Sequence, residues 1–127
     1  MNYKKNVIRP AKTVKEVLIA ARWILQNIGW CQGTYTKIAK NSNIPNMPEA
    51  FCAIGVFRYV DVVTPKAYLE RHHIKNDAVL KLNNVITSTT NYFNLLDYVG
   101  TVIHWNDKPG RTKREVIKLF DEAIKNV

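Results

Sequence analysis

At 127 residues, with 46% hydrophobic and 23% charged side chains, the chain has the size and balance of one soluble globular domain that can bury a core without disulfide or metal staples. Its longest apolar run falls far short of the roughly 20 residues of a membrane span. The opening MNYKKNVIRPAK is too polar for a signal peptide, so a cytoplasmic protein is expected. The net charge of +9, from 19 basic against 10 acidic residues, is concentrated at the two ends. If those ends meet in space they form a basic face for nucleic acid or an acidic protein; the plain alternative is a solubilising surface.

In chain order, residues 1–12 read as a flexible basic arm, and 13–127 as a single helical domain. Thr13-Val-Lys-Glu16 has the form of a capping box and opens a helix whose apolar stripe is Val14, Val17, Leu18, Ala21, Ile24, Leu25 and Ile28, with Gly29 as a stop. Trp30 to Met47 loses that period and is rich in Gly, Asn, Ser and Pro, which predicts a long connection with at most a short helical turn. Pro48 to Val60 is the longest apolar stretch. It predicts a buried central helix, with Pro48 in its first turn, Asn46 as a cap and Cys52 near its N-terminus.

Thr64-Pro65 predicts a restart, with His72-His73 near the end of that helix. Asn76 or Asp77 can cap the next, which carries Val79, Leu80, Leu82, Val85 and Ile86 until Thr87 to Asn91 breaks it. Leu95 to Ile103 suggests a short helix, although Val99 to Trp105 reads equally as extended. Thr112-Lys-Arg-Glu115 is a second capping box before a last helix buried through Val116, Ile117, Phe120, Ala123 and Ile124. The expected fold is an all-α bundle of about five helices around the helix at 48–60.

Three stretches do not read as generic helix or loop: Trp30-Cys-Gln-Gly33, Phe51-Cys-Ala-Ile-Gly55 and Trp105-Asn-Asp-Lys-Pro-Gly-Arg-Thr112. Taken in order, they resemble an uncharacterised family of small phage and actinobacterial proteins marked by G-W-C-Q-G, C-A-x-G and W-N-D-x-P-G-R-T before an E-V helix. Residues 60–100 carry no part of that pattern. The resemblance implies a phage or prophage accessory protein and assigns no activity.

Read from chemistry, Trp105 to Thr112 makes a structural corner: Asn106 or Asp107 bonds backbone amides, Pro109-Gly110 turns the chain, and Arg111 reaches Asp107. The functional version has Asn106, Asp107 and Arg111 lining a pocket, with Arg111 binding a phosphate or carboxylate. Trp30 plugs the core, and Gln32 ties the long loop or holds a ligand. An enzyme would use Cys52 as nucleophile, His104 as base, and Asp107 or Asn106 as orienter. The surroundings of Cys52 are apolar, however, and His104 lies outside the family pattern.

His72, His73, His104 and Asp107 are a poor metal set, since adjacent histidines on a helix diverge. No cofactor is implied. The expected function is therefore binding of an acidic partner, protein or nucleic acid, by the basic ends that include Lys113 and Arg114. A small cysteine-dependent hydrolase or transferase and a non-specific nucleic-acid binder are the alternatives.

Overall fold

The computed structural model describes residues 11–63, 69–89 and 97–127. The chain is mostly helical, 60%, and forms one domain, as expected. The expectations at residues 1–10, at the Thr64-Pro65 restart and at residues 90–96 lie outside the described residues. Of the predicted arm, Ala11 is buried and the Lys12 N–H donates to the Glu16 carboxylate at 3.2 Å.

Helix α1, Val14–Asn27, starts where the Thr13 hydroxyl accepts the Glu16 N–H at 3.1 Å, and it buries Val17, Leu18, Ala20, Ala21, Ile24 and Leu25. Its capping box is realised one residue off, because Glu16 reaches the N–H of Lys12 rather than that of Thr13.

The next segment differs from expectation. Thr36–Ile38 is a strand, β1, where a connection with a helical turn was predicted, and Pro48–Phe51 is β2, where the central helix was to begin. The two pair antiparallel, Thr36 opposite Phe51 and Lys37 opposite Ala50, with an irregularity before Ile38 meets Pro48. A short apolar run is compatible with either a buried strand or a buried helix, and neighbouring backbone decides. Here Phe51 finds partners on both sides, since an isolated parallel bridge also joins it to Trp30. Pro48 opens the strand, where its missing N–H costs no ladder bond. Asn46 has φ 56° in the preceding turn, left-handed backbone that asparagine tolerates, and so does not cap a helix.

Helix α2 is only the second part of the predicted one, Gly55–Val63. Gly55 is fixed by crowding: a Cβ there would sit 2.0 Å from the Tyr35 carbonyl oxygen. Gly29 is constrained likewise, 2.3 Å from the carbonyl oxygen of Glu49. Both glycines let the segment around β1 and β2 lie against the helix ends.

Helix α3, Leu69–Thr89, runs unbroken through Asn76 and Asp77, so neither caps a new helix, and His72-His73 falls near its start rather than at a helix end. The expected stripe holds, except that Leu80 is 41% exposed. The Thr87, Ser88 and Thr89 hydroxyls do not stop the helix at Thr87. They donate back to the carbonyls of Asn83, Asn84 and Val85 and so satisfy its last turn.

Helix α4, Tyr98–Asn106, resolves the ambiguity at 99–105 as helix, capped by Asp97, whose carboxylate accepts the Gly100 N–H at 2.6 Å. Helix α5, Lys113–Lys125, carries the complete capping box predicted from Thr112 and Glu115.

Helix α1 packs on α2, α3 and α5, and α3 packs also on α4 and α5. The bundle is thus organised on α1 and α3, and only residues 55–60 of the predicted central helix are helical, with Val56, Phe57 and Val60 buried in the core. Phe57 of α2 stacks on Phe120 of α5 across the core, centroids 6.0 Å apart. No described helix is long and apolar enough to cross a membrane.

Candidate functional site

The three sequence stretches converge on one side chain. Asn106, the last residue of α4, is fully buried. Beside it, the parallel pairing of Trp30 with Phe51 is made by the Phe51 N–H donating to Gly29 O at 3.1 Å and the Cys31 N–H donating to Phe51 O at 3.0 Å. The next rung of such a ladder would run from the Ala53 N–H to Cys31 O. The Asn106 carboxamide takes that rung's place: Oδ1 accepts from the Ala53 N–H at 3.0 Å, and Nδ2 donates to Cys31 O at 3.2 Å.

A side-chain amide thereby stands in for a peptide group between two diverging strands. Its remaining capacity is also used. The Trp30 indole donates to Oδ1 at 2.7 Å, and Nδ2 donates a second bond to Asp107 Oδ1 at 2.9 Å. An asparagine side chain offers two donors and about two acceptor sites, so Asn106 has nothing left for a ligand.

The surrounding motif residues close the end of α4. Gln32 Nε2 donates to the carbonyls of Asn106 and Lys108 at 3.0 and 2.8 Å, which makes it the loop tie. Arg111 Nε donates to Trp105 O at 2.9 Å, and its guanidinium lies 3.8 Å from the centre of the Trp105 ring. These side chains satisfy carbonyls that a helix C-terminus otherwise leaves open. Arg111 does not pair with Asp107 as predicted. Its other donor reaches Glu115 Oε2 at 3.0 Å, one turn into α5, and the Asp107 carboxylate instead accepts the Gly33 N–H at 3.0 Å. The Thr112 backbone N–H, helped by the Thr112 hydroxyl and Arg111, holds the Glu115 carboxyl below its ordinary range.

Cys52 and Asp107 share a cleft of about 320 Å³ with Gly33, Thr34, Tyr35 and Ile103. The Gly55 N–H at the start of α2 points at Cys52 Sγ, 3.2 Å away. That contact favours a thiolate, but burial outweighs it and pushes the thiol up from its ordinary 9.0. The predicted base, His104, is exposed on α4, and the cleft is lined from this part of the chain by Ile103 of α4 and by Asp107, which caps its end.

The family model for a family of unknown function, DUF6197, matches residues 9–126. The chain belongs to this family. No curated protein and no solved structure matches it. Membership in DUF6197 spans the five described helices and the Asn106 junction, so junction and bundle belong to one family unit.

The other predicted residues, Lys113 and Arg114, lie elsewhere, on a groove of about 470 Å³ between α1 and α5 lined also by Gln26, Ile117, Lys118 and Asp121. Lys113 Nζ donates to Gln26 O at 3.0 Å, and Arg22 pairs with Asp121 at 2.5 Å. Of the described N-terminal basic residues, Arg22 is thereby brought against α5, which carries Lys113, Arg114 and Lys118. Lys118 and Gln26 were not singled out from sequence as groove residues. The signal for Lys118 was its place four residues after Arg114, which puts both on one helical face.

Proposed function

We propose that this DUF6197 protein is a small, non-enzymatic binding protein, of phage or prophage accessory type and cytoplasmic. It holds an acidic partner, protein or nucleic acid, against the α1–α5 face. The observation that carries the reading is the groove in which Lys113, Arg114 and Lys118 gather beside α1. Of these, Arg114 and Lys118 are exposed and Lys113 half-buried, so their charge reaches solvent while Ile117 supplies an apolar floor. The family motifs support it indirectly: Trp30, Gln32, Asn106 and Arg111 spend their polar groups on one another and on backbone.

Fluorescence anisotropy with a labelled DNA duplex and, separately, a poly-glutamate peptide tests the proposal. Binding to either should weaken steeply between low and physiological salt, and a Lys113→Ala/Arg114→Ala/Lys118→Ala variant should bind less and with a shallower salt slope. No binding to either polyanion at low salt, or binding unchanged in the triple variant, overturns it. The cysteine-dependent alternative draws on the cleft shared by Cys52 and Asp107. It requires a Cys52 that iodoacetamide modifies in the native protein.

A further inference from the structure

The parallel bridge between Trp30 and Phe51 fixes the register of the residues that follow. One step on, Cys31 stands opposite Cys52, the last such position before the Asn106 amide wedges the strands apart at Cys31 O and the Ala53 N–H. Strand alternation carried one residue past the bridge puts both cysteines on the face opposite Trp30 and Phe51. Paired strands lie about 4.8 Å apart, within the Cα separation of roughly 4.4–6.8 Å that a disulfide spans.

The surroundings of the two sulfurs agree with that register. Cys31 Sγ lies 3.7 Å from the Thr34 carbonyl oxygen, and Thr34 lines the same cleft as Cys52. Burial first, and then the neighbouring Cys52, push the Cys31 thiol up from its ordinary value, and burial with a smaller effect of Asp107 does the same at Cys52. Both cysteines are free thiols. Cys31 is half-buried and so the more accessible of the two, whereas Cys52 is buried and lines the cleft.

We propose that Cys31 and Cys52 are a reversible dithiol–disulfide couple, a redox modification site that takes small disulfides of the glutathione type as oxidant. The Cys31 thiolate attacks one sulfur of the oxidised glutathione and releases one glutathione thiolate. The Cys52 thiolate then attacks the Cys31 sulfur of the mixed disulfide, forms the Cys31–Cys52 bond and releases the second glutathione. Two protein thiols are oxidised, one glutathione disulfide is reduced, and the two protons leave on the glutathione thiols. The inference is independent of the groove between α1 and α5. The bond would tie the two strands on the cleft side of the junction.

The test treats the reduced full-length protein with oxidised glutathione and follows it by intact mass and non-reducing tryptic mapping. The expected product has lost two hydrogens, is monomeric, and links the tryptic peptides 23–37 and 41–58, which carry Cys31 and Cys52. Dithiothreitol restores the starting mass. Cys31→Ser should give no intramolecular bond, and Cys52→Ala should stop at the Cys31–glutathione mixed disulfide, which shows the order of attack. A mixed disulfide that persists on Cys31 in the unmodified sequence overturns the proposal. So does a dimer joined through Cys31, or a protein whose two thiols stay unchanged while a free dithiol control is oxidised. The Cys31→Ser variant keeps the buried residue intact, which guards against a loss caused only by misfolding.

Discussion

Asn106 shows how one residue can decide whether several motifs are functional or structural. Its carboxamide accepts from the Trp30 indole and the Ala53 N–H and donates to Cys31 O and Asp107, all at a position with no solvent exposure. Removing the amide leaves buried donors and an acceptor without partners, and each such group costs about 1–3 kcal/mol. Asn106→Ala should therefore destabilise the protein by roughly 3–5 kcal/mol once the losses overlap and partly rearrange. Urea unfolding measures it, and a loss below about 1 kcal/mol would mean that water replaces the amide without strain. Asn106→Asp is the sharper variant. It keeps the shape and the acceptors but turns the donor end into a second carboxylate oxygen facing Cys31 O and Asp107, so it should be no milder than alanine. The sequence showed the right residue types for a corner at 105–112. It did not show that the corner's asparagine serves as a strand rung, because that depends on Cys31 and Ala53, which reach it from far along the chain.

At the scale of elements, what was legible tracks how local the determining forces are. The start of α5 was readable to the residue, since Thr112 and Glu115 satisfy each other's backbone donors within one turn. The apolar stripes of α1 and α5 were readable because a helix repeats its buried face every three to four residues. The strand at Pro48–Phe51 was not readable, because its pairing partners are the Trp30 and Thr36 segments and nothing within the stretch distinguishes strand from helix. The same holds for α3, where Asn76 and Asp77 look like caps until the tertiary packing of Ala78, Val79 and Leu82 carries the helix through them.

Capping also allows a graded prediction. The Thr112 box is closed in both directions and is continued by Arg111 to Glu115 at 3.0 Å, whereas at Thr13 the glutamate bonds the neighbouring Lys12 N–H instead. Thr112→Ala should cost about 1–2 kcal/mol, and Thr13→Ala less, about 0.5–1 kcal/mol. Thermal unfolding followed by circular dichroism compares the two, and equal losses would show that the second half of the box adds nothing.

For the molecule as a whole, the junction and the bundle are two kinds of cohesion in one domain. The bundle is apolar, α1 against α2, α3 and α5, with Phe57 on Phe120 at its centre. The junction is polar and directional, built from hydrogen bonds that join the residue 30 segment, β2 and the α4–α5 corner. Segments far apart in sequence meet there, so its closure is the costly long-range step that local helix formation does not supply. Trp30 and Trp105 sit at the junction, and far-ultraviolet circular dichroism reports the helices. If the two parts fold as one unit, tryptophan fluorescence and circular dichroism should lose signal at the same denaturant concentration in the unmodified protein. In Asn106→Ala the fluorescence change should come first, since the wedge is gone while the apolar faces of α1, α3 and α5 are untouched. Coincident transitions in that variant would instead mean that the bundle cannot stand without its junction. The polar residues of the junction would then be as much a part of the core as Phe120.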